Sequence, residues 1–293
     1  MRKRPALQVN GTRHVLGQRT WIMGVLNVTP DSFSDGGLYL KKERAVERGL
    51  ELAEQGADIV DVGGESTRPG SDPIPVEEEL RRVIPVIREL RAQTDVLISI
   101  DTTKSGVARE ALEAGADIIN DISAFRFDDR MPLLAAEYGV PVVLMHMKGT
   151  PKTMQARPCY EDLFQEIHGF LEERIVKAEA YGISRENIII DPGIGFGKTV
   201  DHNLALLRNL KFLEDLERPI LVGVSRKSFI GKILHLPPQE RLEGTIASAV
   251  VSVLNGAHIL RVHDVEAVKR AVEMAEAIMN GADSAEEPET DVR

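Results

Sequence analysis

Eight short apolar runs in this 293-residue chain each end on a polar or ionisable side chain. The ends are Asn27, Asp61 with Gly63, Asp101, Asn120, His146, Asp191, Ser225 with Lys227, and Arg261 with His263. Apolar runs gain no stability from such ends, and unpartnered carboxylates and amides cost free energy when buried. Capping of a following helix accounts for one or two of them. A polar ligand held by the whole set accounts for the rest. Asp101, Asn120 and Asp191 offer acceptors and an amide, which suit a ligand carrying a row of N–H donors, such as an amino-pyrimidinone ring. Lys227, Arg261 and His263 offer donors and positive charge, and an arginine holds phosphate or carboxylate oxygens in a bidentate fork. One side of the site is therefore expected to take a heterocycle and the other an anion.

Several nearby patterns fail as chemistry. Asp191-Pro192-Gly193-Ile194-Gly195-Phe196-Gly197-Lys198-Thr199 has Pro192 where a P-loop needs glycine. A dinucleotide fingerprint starting at Gly193 meets Lys198 where it needs a small residue. Gly223-Val224-Ser225-Arg226-Lys227 lacks the last glycine of a nucleophile elbow. No HExxH or paired CxxC suggests zinc. Two loops rich in glycine, proline and hydroxyls, 27–37 and 63–71, pack poorly as core and suit lids that close over a site and exclude water.

Bringing eight polar ends to one rim requires a repeated strand–helix unit. Strands are predicted at Trp21–Asn27, Asp58–Gly63, Val96–Asp101, Asp117–Asp121, Pro141–His146, Asn187–Asp191, Pro219–Ser225 and His258–Val262. Helices are predicted near 41–56, 76–92, 104–114, 130–138, 160–181, 200–215, 241–256 and 264–280. Short, almost continuously apolar strands are parallel strands buried on both faces, joined by right-handed crossovers. Gly56-Ala57-Asp58-Ile59, Gly115-Ala116-Asp117-Ile118 and Gly256-Ala257-His258-Ile259 repeat where helix hands over to strand, a place where glycine ends helices. Eight units either close into a barrel or lie open as a doubly wound sheet. The count and the length, near the ~250 residues of a barrel, favour a single α/β domain with the (β/α)8 TIM-barrel fold. The domain is expected over 1–281, with the barrel from about 20 to 280. Active sites of such barrels lie at the C-terminal ends of the strands, where the polar residues fall. An N-terminal β-hairpin, about 7–16 around Asn10-Gly11, is expected to cap the bottom. Residues 282–293 read as a short disordered acidic C-terminal tail.

Composition narrows the partners. The net charge of −10 disfavours nucleic acid and anionic membranes. Aromatics at 4% argue against a stacking surface for single strands. One cysteine, Cys159, forbids an internal disulfide and reads as a partly buried thiol in a reducing compartment. The basic start, Met1–Pro5, is followed by no signal-like apolar region, and no run approaches membrane-spanning length, so the expected location is cytoplasmic.

The two glycine-rich loops also carry a resemblance. Met23-Gly24-Val25-Leu26-Asn27-Val28-Thr29-Pro30-Asp31-Ser32-Phe33-Ser34-Asp35-Gly36-Gly37 is similar to the first signature of the dihydropteroate synthase family, and Gly56 through Pro69 to the second. Later blocks match too: Ile100-Asp101-Thr102, Ile119-Asn120-Asp121-Ile122, Asp191 through Lys198, Ser225-Arg226-Lys227-Ser228 and Arg261-Val262-His263-Asp264, so the likeness runs from about Leu16 to Asn280. The resemblance implies a transferase that condenses 6-hydroxymethyl-7,8-dihydropterin pyrophosphate with 4-aminobenzoate, giving 7,8-dihydropteroate and pyrophosphate. It implies pterin contacts from Asp101, Asn120, Ile122, Met145, Asp191, Gly195, Phe196 and Lys227, with Arg226 alongside. It assigns pyrophosphate to Asn27, Arg261 and His263, and Mg2+ to Asn27. Phe33, Thr67, Arg68, Pro69 and Ser228 would shape the 4-aminobenzoate pocket. Lys227, Arg261, Asp101 and Asp35 would carry catalysis, and the last helices a homodimer. Two rivals share parts of this pattern. A methyltetrahydrofolate-dependent methyltransferase would lack the Ser-Thr-Arg-Pro loop and the pyrophosphate cations. A non-catalytic pterin-binding paralogue would have a broken lid or lack Arg261 or Lys227.

Overall fold

A computed structural model describes residues 3–29, 38–68, 70–156 and 158–281. The chain opens with a hairpin of β1 (Ala6–Val9) and β2 (Thr12–Val15), turned by Asn10 and Gly11 at φ 49° and 76°. Both values are left-handed, as an Asn-Gly two-residue turn requires. Alternation then follows: β3 (Trp21–Asn27), α1 (Leu38–Glu54), β4 (Ile59–Gly63), α2 (Val76–Gln93), β5 (Leu97–Asp101), α3 (Ser105–Glu113), β6 (Ile118–Asp121), α4 (Met131–Tyr138), β7 (Val142–Met145), α5 (Leu163–Ala180), β8 (Ile188–Asp191), α6 (Val200–Arg208), β9 (Leu221–Gly223), α7 (Ser228–Leu234), α8 (Leu242–Leu254), β10 (Ile259–Val262) and α9 (Val265–Asn280).

The eight strands β3 to β10 form one parallel sheet in the order β8-β7-β6-β5-β4-β3-β10-β9. A parallel bridge between Ile190 and Ile220, with Ile190 N donating to Pro219 O at 2.9 Å, joins its two ends into a barrel. The fold is thus the TIM barrel expected, not an open sheet.

Strand alternation gives that barrel two unlike layers. One parity, including Ile22, Leu26, Val60, Val62, Ile98, Ile100, Leu144, Ile190, Leu260 and Val262, packs outward into the main core with the helices. The other parity points inward. At its lower end Met23, Ile59, Ile118, Val143, Ile189, Leu221 and Ile259 form an apolar cluster with Leu7, Val9, Leu16 and Trp21, so the hairpin seals the bottom of the barrel. Two residues further up β4, β6, β8 and β10, and four above Leu97 on β5, the inward positions become Asp61, Asn120, Asp191, Arg261 and Asp101.

Three local readings change. The helix expected over 200–215 ends at Arg208, because the Asn209 side chain bonds back to Ala205 O at 2.9 Å, and a 3-10 turn over Leu210–Leu216 follows. The strand expected over Pro219–Ser225 shortens to Leu221–Gly223, and the unexpected helix α7 begins at Ser228 with Lys227 at its N-cap. Cys159 is exposed, not partly buried, on the long connection between β7 and α5. The acidic tail from 282 lies outside the described residues.

Candidate active site

The inward-facing polar residues meet at the upper rim. Arg261, on β10, donates from Nε to Asp61 Oδ2 at 2.6 Å and from Nη2 to Asp101 Oδ2 at 2.7 Å. Asn120 Nδ2 donates to the same Asp61 oxygen at 3.1 Å. The cation therefore sits among the carboxylates. This corrects the expected division into an acceptor side and a cationic side, and its cause is register: β4, β5 and β10 all turn their upper inward positions to one axis. The other oxygens, Asp61 Oδ1 and Asp101 Oδ1, are buried with no hydrogen-bond partner among the described residues. Orphaned buried acceptors cost about 1–3 kcal/mol each, so the rim is made for a ligand that brings N–H groups. Burial raises the Asp101 carboxyl to about 7, against the opposing pull of Arg261 and with help from Asp61. Burial also raises Asp191, whose Oδ1 accepts Gly193 N at 2.6 Å.

Beside these groups lies a small apolar cluster separate from the main core: Ile122, Met145, Met147 and Met154, with Phe196 packed against it. Ile122, Met145 and Phe196 were expected here; Met147 and Met154 were not. Lys227 closes the slot. Its Nζ donates to Ile194 O at 2.7 Å and lies 4.3 Å from the centroid of the Phe196 ring. Burial lowers its ammonium to about 8, although Asp191 opposes this. Gly195 has φ 84°, and a Cβ there would stand 3.0 Å from Lys227 Cδ, so the close approach of lysine to loop needs glycine.

His263 corrects a second expectation. Its Nδ1 lies 2.9 Å from Ser225 Oγ. Burial, then the nearby Arg261 and Arg226, lowers it to about 4. At neutral pH it is a neutral hydrogen-bonding group and not a positive charge. Arg226, expected beside the pterin, turns away to Asp264, with contacts of 3.0 Å and 2.5 Å. His146, expected at the rim, leaves it because strand parity points it outward, as it does Asp121. His146 packs edge-on to Phe170 of α5 and meets Lys198 Nζ at 3.0 Å, while Asp121 accepts Ser123 N and Phe125 N at 2.8 Å.

Of the residues expected around an arylamine, Thr67 is half-buried and Arg68 exposed, on the loop after β4; Ser228 is exposed at the start of α7. Arg68 is close enough to the rim to add to the positive field on His263. Phe33, Asp35 and Pro69 lie outside the described residues. Asn27 ends β3 at the rim, half-buried. Asp61 is the residue that the sequence under-weighted. It stood among the strand ends, but nothing in its own strand shows that Arg261, 200 positions away, will share it. The base of the 64–72 loop carries another buried network: Lys104 Nζ binds Glu65 Oε2 at 2.6 Å and the fully buried Glu79.

Known proteins resemble this chain over most of its length. A family described as "Pterin binding enzyme" matches residues 23–263. Dihydropteroate synthase from Synechocystis sp. is 48% identical over 275 residues, spanning 94% of this chain and 95% of that protein. The structure of Xanthomonas albilineans dihydropteroate synthase with 4-aminobenzoic acid superposes with a TM-score of 0.88 at 47% identity, covering 95% of this chain and 99% of the other. The same enzyme in complex with 7,8-dihydropteroate gives 0.84 at 44% identity, over 94% and 99%.

Proposed function

The chain belongs to the dihydropteroate synthase family of pterin-binding enzymes, and from that premise we propose that it joins 6-hydroxymethyl-7,8-dihydropterin pyrophosphate to 4-aminobenzoate, releasing pyrophosphate. The observation that carries the reading is the pair of orphaned carboxylate oxygens on Asp61 and Asp101 at the rim, beside an apolar slot. A pterin offers a flat apolar ring for that slot and a row of N–H donors for Asp101 and Asp191, with the Asn120 amide to complete the pattern. Lys227 and Phe196 hold the ring from the side.

The step breaks the bond between the pterin methylene and the pyrophosphate oxygen and forms a bond from that methylene to the arylamine nitrogen, which loses a proton. An electron-rich pterin carries positive charge on its methylene, so departure of pyrophosphate before attack is the path this site favours. Asp101 and Asp191 stabilise the cationic ring. Arg261 offers its remaining guanidinium edge to the leaving group, and neutral His263 adds a hydrogen bond. Mg2+ fits the donor set: Asn27, half-buried at the end of β3, would supply a hard amide oxygen at the rim. That suits an ion held by one side chain together with substrate phosphates and water. When bound, it neutralises charge on the departing pyrophosphate. Thr67, Arg68 and Ser228 would face the arylamine.

The proposal extends to a cytoplasmic homodimer. No helix among the described residues is long and apolar enough to cross a membrane. Ile233 and Leu234 on α7, Val251 and Leu254 on α8, and Ile278 on α9 are all exposed, with Ile278 at 73%. A second copy covering these helices would bury them. The primary test is a steady-state assay of dihydropteroate formation by the purified chain with both substrates and Mg2+. Turnover at a rate typical of enzymes supports the reading; pterin binding without turnover would identify a non-catalytic relative instead.

A further inference from the structure

The connection between β7 and α5 reaches both halves of the site. Met154, 3% exposed, fills part of the slot between Ile122, Met145, Met147 and Phe196. Next to it, Gln155 Nε2 donates to Gly195 O at 2.6 Å, on the loop that carries Phe196. Three residues before Met154, the Pro151 carbonyl accepts Gly70 N at 3.1 Å, and Lys152 Nζ meets Asp72 at 2.7 Å. These last two contacts fall on the loop that holds Thr67 and Arg68. We propose that residues 148–156 form a strap coupling the pterin slot to the 64–72 loop, with Gln155 and Lys152 as its positioning residues.

The strap is stiff enough to pass a displacement along. Met154 N and Thr153 N both donate to Thr150 O, at 2.8 and 3.0 Å, and the Thr150 and Thr153 hydroxyls lie 3.0 Å apart. Movement at Met154 is therefore carried to Pro151 and Lys152 in the same turn. The receiving loop is tied internally as well, since Ser71 Oγ donates to Ser66 O at 2.6 Å and to Arg68 O at 2.8 Å. A ring entering the slot must repack Met154, and methionine is an unbranched side chain suited to such repacking. The strap then shifts Gly70 and Asp72, and Arg68 with them. Coupling of this kind requires an element with two arrangements that both sites bias; the strap makes contacts to each site that can differ between them. Its use is to delay assembly of the arylamine pocket until a pterin is in place.

This inference rests on the pterin slot proposed above, and the experiment separates the two. Lys152 and Asp72 have side chains 66% and 75% exposed, so changing them leaves the core untouched. The variants are Lys152→Glu, Gln155→Ala, their double, and the charge swap Lys152→Asp with Asp72→Lys. Two quantities are measured: the Kd of 6-hydroxymethyl-7,8-dihydropterin pyrophosphate by fluorescence titration, and KM for 4-aminobenzoate at saturating pterin substrate. Lys152→Glu and Gln155→Ala should each raise KM for 4-aminobenzoate about three- to tenfold, with pterin Kd and kcat held within about twofold. The swap should restore KM, and the double variant should be no worse than the more damaging single, because both cut one strap. An unmoved KM, additive losses, or a swap that fails to restore overturns the strap. Failure of the unaltered chain to bind the pterin substrate would overturn the slot assignment itself.

Discussion

The floor of the site and the 64–72 loop are held in different ways. The loop after β8 is tied down along its length: Gly193 N to Asp191, Gly195 N to Asn203 Oδ1 at 2.7 Å, Tyr160 OH to Gly197 O at 2.8 Å, and Lys198 Nζ to Phe196 O at 3.0 Å. Arg261, Asp61 and Asp101 are locked beside it in low-dielectric surroundings. The 64–72 loop is fixed at its base, where Arg82 Nη1 donates to Gly64 O at 2.8 Å and Lys104 grips Glu65, and near its tip by Gly70 N donating to Pro151 O at 3.1 Å. Its tip depends on Ser71 and on an exposed ion pair to Lys152. Buried pairs cost several kcal/mol to break, whereas exposed ones contribute about 0–1 kcal/mol. On the proposed function, the rigid half would recognise the heterocycle and the loop would adjust around the second substrate.

The largest test removes the cation from the rigid half. Arg261→Ala leaves Asp61 and Asp101 buried without compensation. Breaking such a pair costs about 3 kcal/mol, towards the low end because the arginine is 23% exposed. Thermal unfolding should fall by roughly 5–10 °C and turnover should collapse. A melting point unchanged in calorimetry would show that the three residues are not coupled. Asp191→Asn comes next. It exchanges a carboxylate acceptor for an amide facing the pterin, and loss of one charge-assisted hydrogen bond should weaken pterin binding about ten- to a hundredfold. Fluorescence titration reads this directly, and normal affinity would move the slot elsewhere.

The pH dependence sharpens the same contrast. Burial raises Asp101 to about 7 and lowers Lys227 to about 8. With a carboxylate and an ammonium both required, kcat/KM for the pterin substrate should rise through pH 7 and fall above pH 8, as macroscopic values of a coupled site. Asp101→Asn should abolish the rising limb. The stability terms have definite signs. Asp101 has a raised folded pKa, so its contribution is present in full below the unfolded value and is lost as pH rises towards 7. His263 has a lowered one, so its contribution is present above about 6.5 and is lost as pH falls to 4. Urea titrations of wild type and His263→Gln between pH 4 and 7 should diverge at the acid end; parallel curves would place the imidazole in solvent.

The barrel was legible because each strand is a short apolar run with a polar end, and Asp101, Asn120, Asp191 and Lys227 followed from those ends. What stayed hidden depends on direction and partnership. His146 and Asp121 are as polar as Asn120, but one step along a strand turns a side chain to the other face, and short runs blur that parity. The sequence shows the charge of Arg261 and not the two carboxylates, Asp61 and Asp101, that share it. Helix α7 was missed because Ser228–Leu234 is only 7 residues long and offers no full amphipathic period. Met154 and Gln155 gave no signal, since Ile122 and Phe196 in the cluster and Gly195 in the hydrogen bond lie 32 to 42 positions away from them.

The smallest predicted effect is the most selective. Ser71→Ala removes one hydroxyl that bonds the carbonyls of Ser66 and Arg68 within the adjustable loop. Each neutral hydrogen bond near solvent is worth roughly 0.5–1.5 kcal/mol, and water replaces part of it. The loop keeps its base, because Glu65, Lys104 and Arg82 are unaffected, so the melting point should stay within about 1 °C of wild type. The tip becomes more mobile, and Thr67 and Arg68 must be ordered when the arylamine binds. That ordering cost should appear as a rise of about two- to fivefold in KM for 4-aminobenzoate. The Kd for the pterin substrate should not change, since no slot residue touches Ser71. Steady-state kinetics in each substrate, with a pterin titration alongside, distinguishes the outcomes. A matching rise in pterin Kd would mean that the two halves are one rigid unit and that the contrast between them is false.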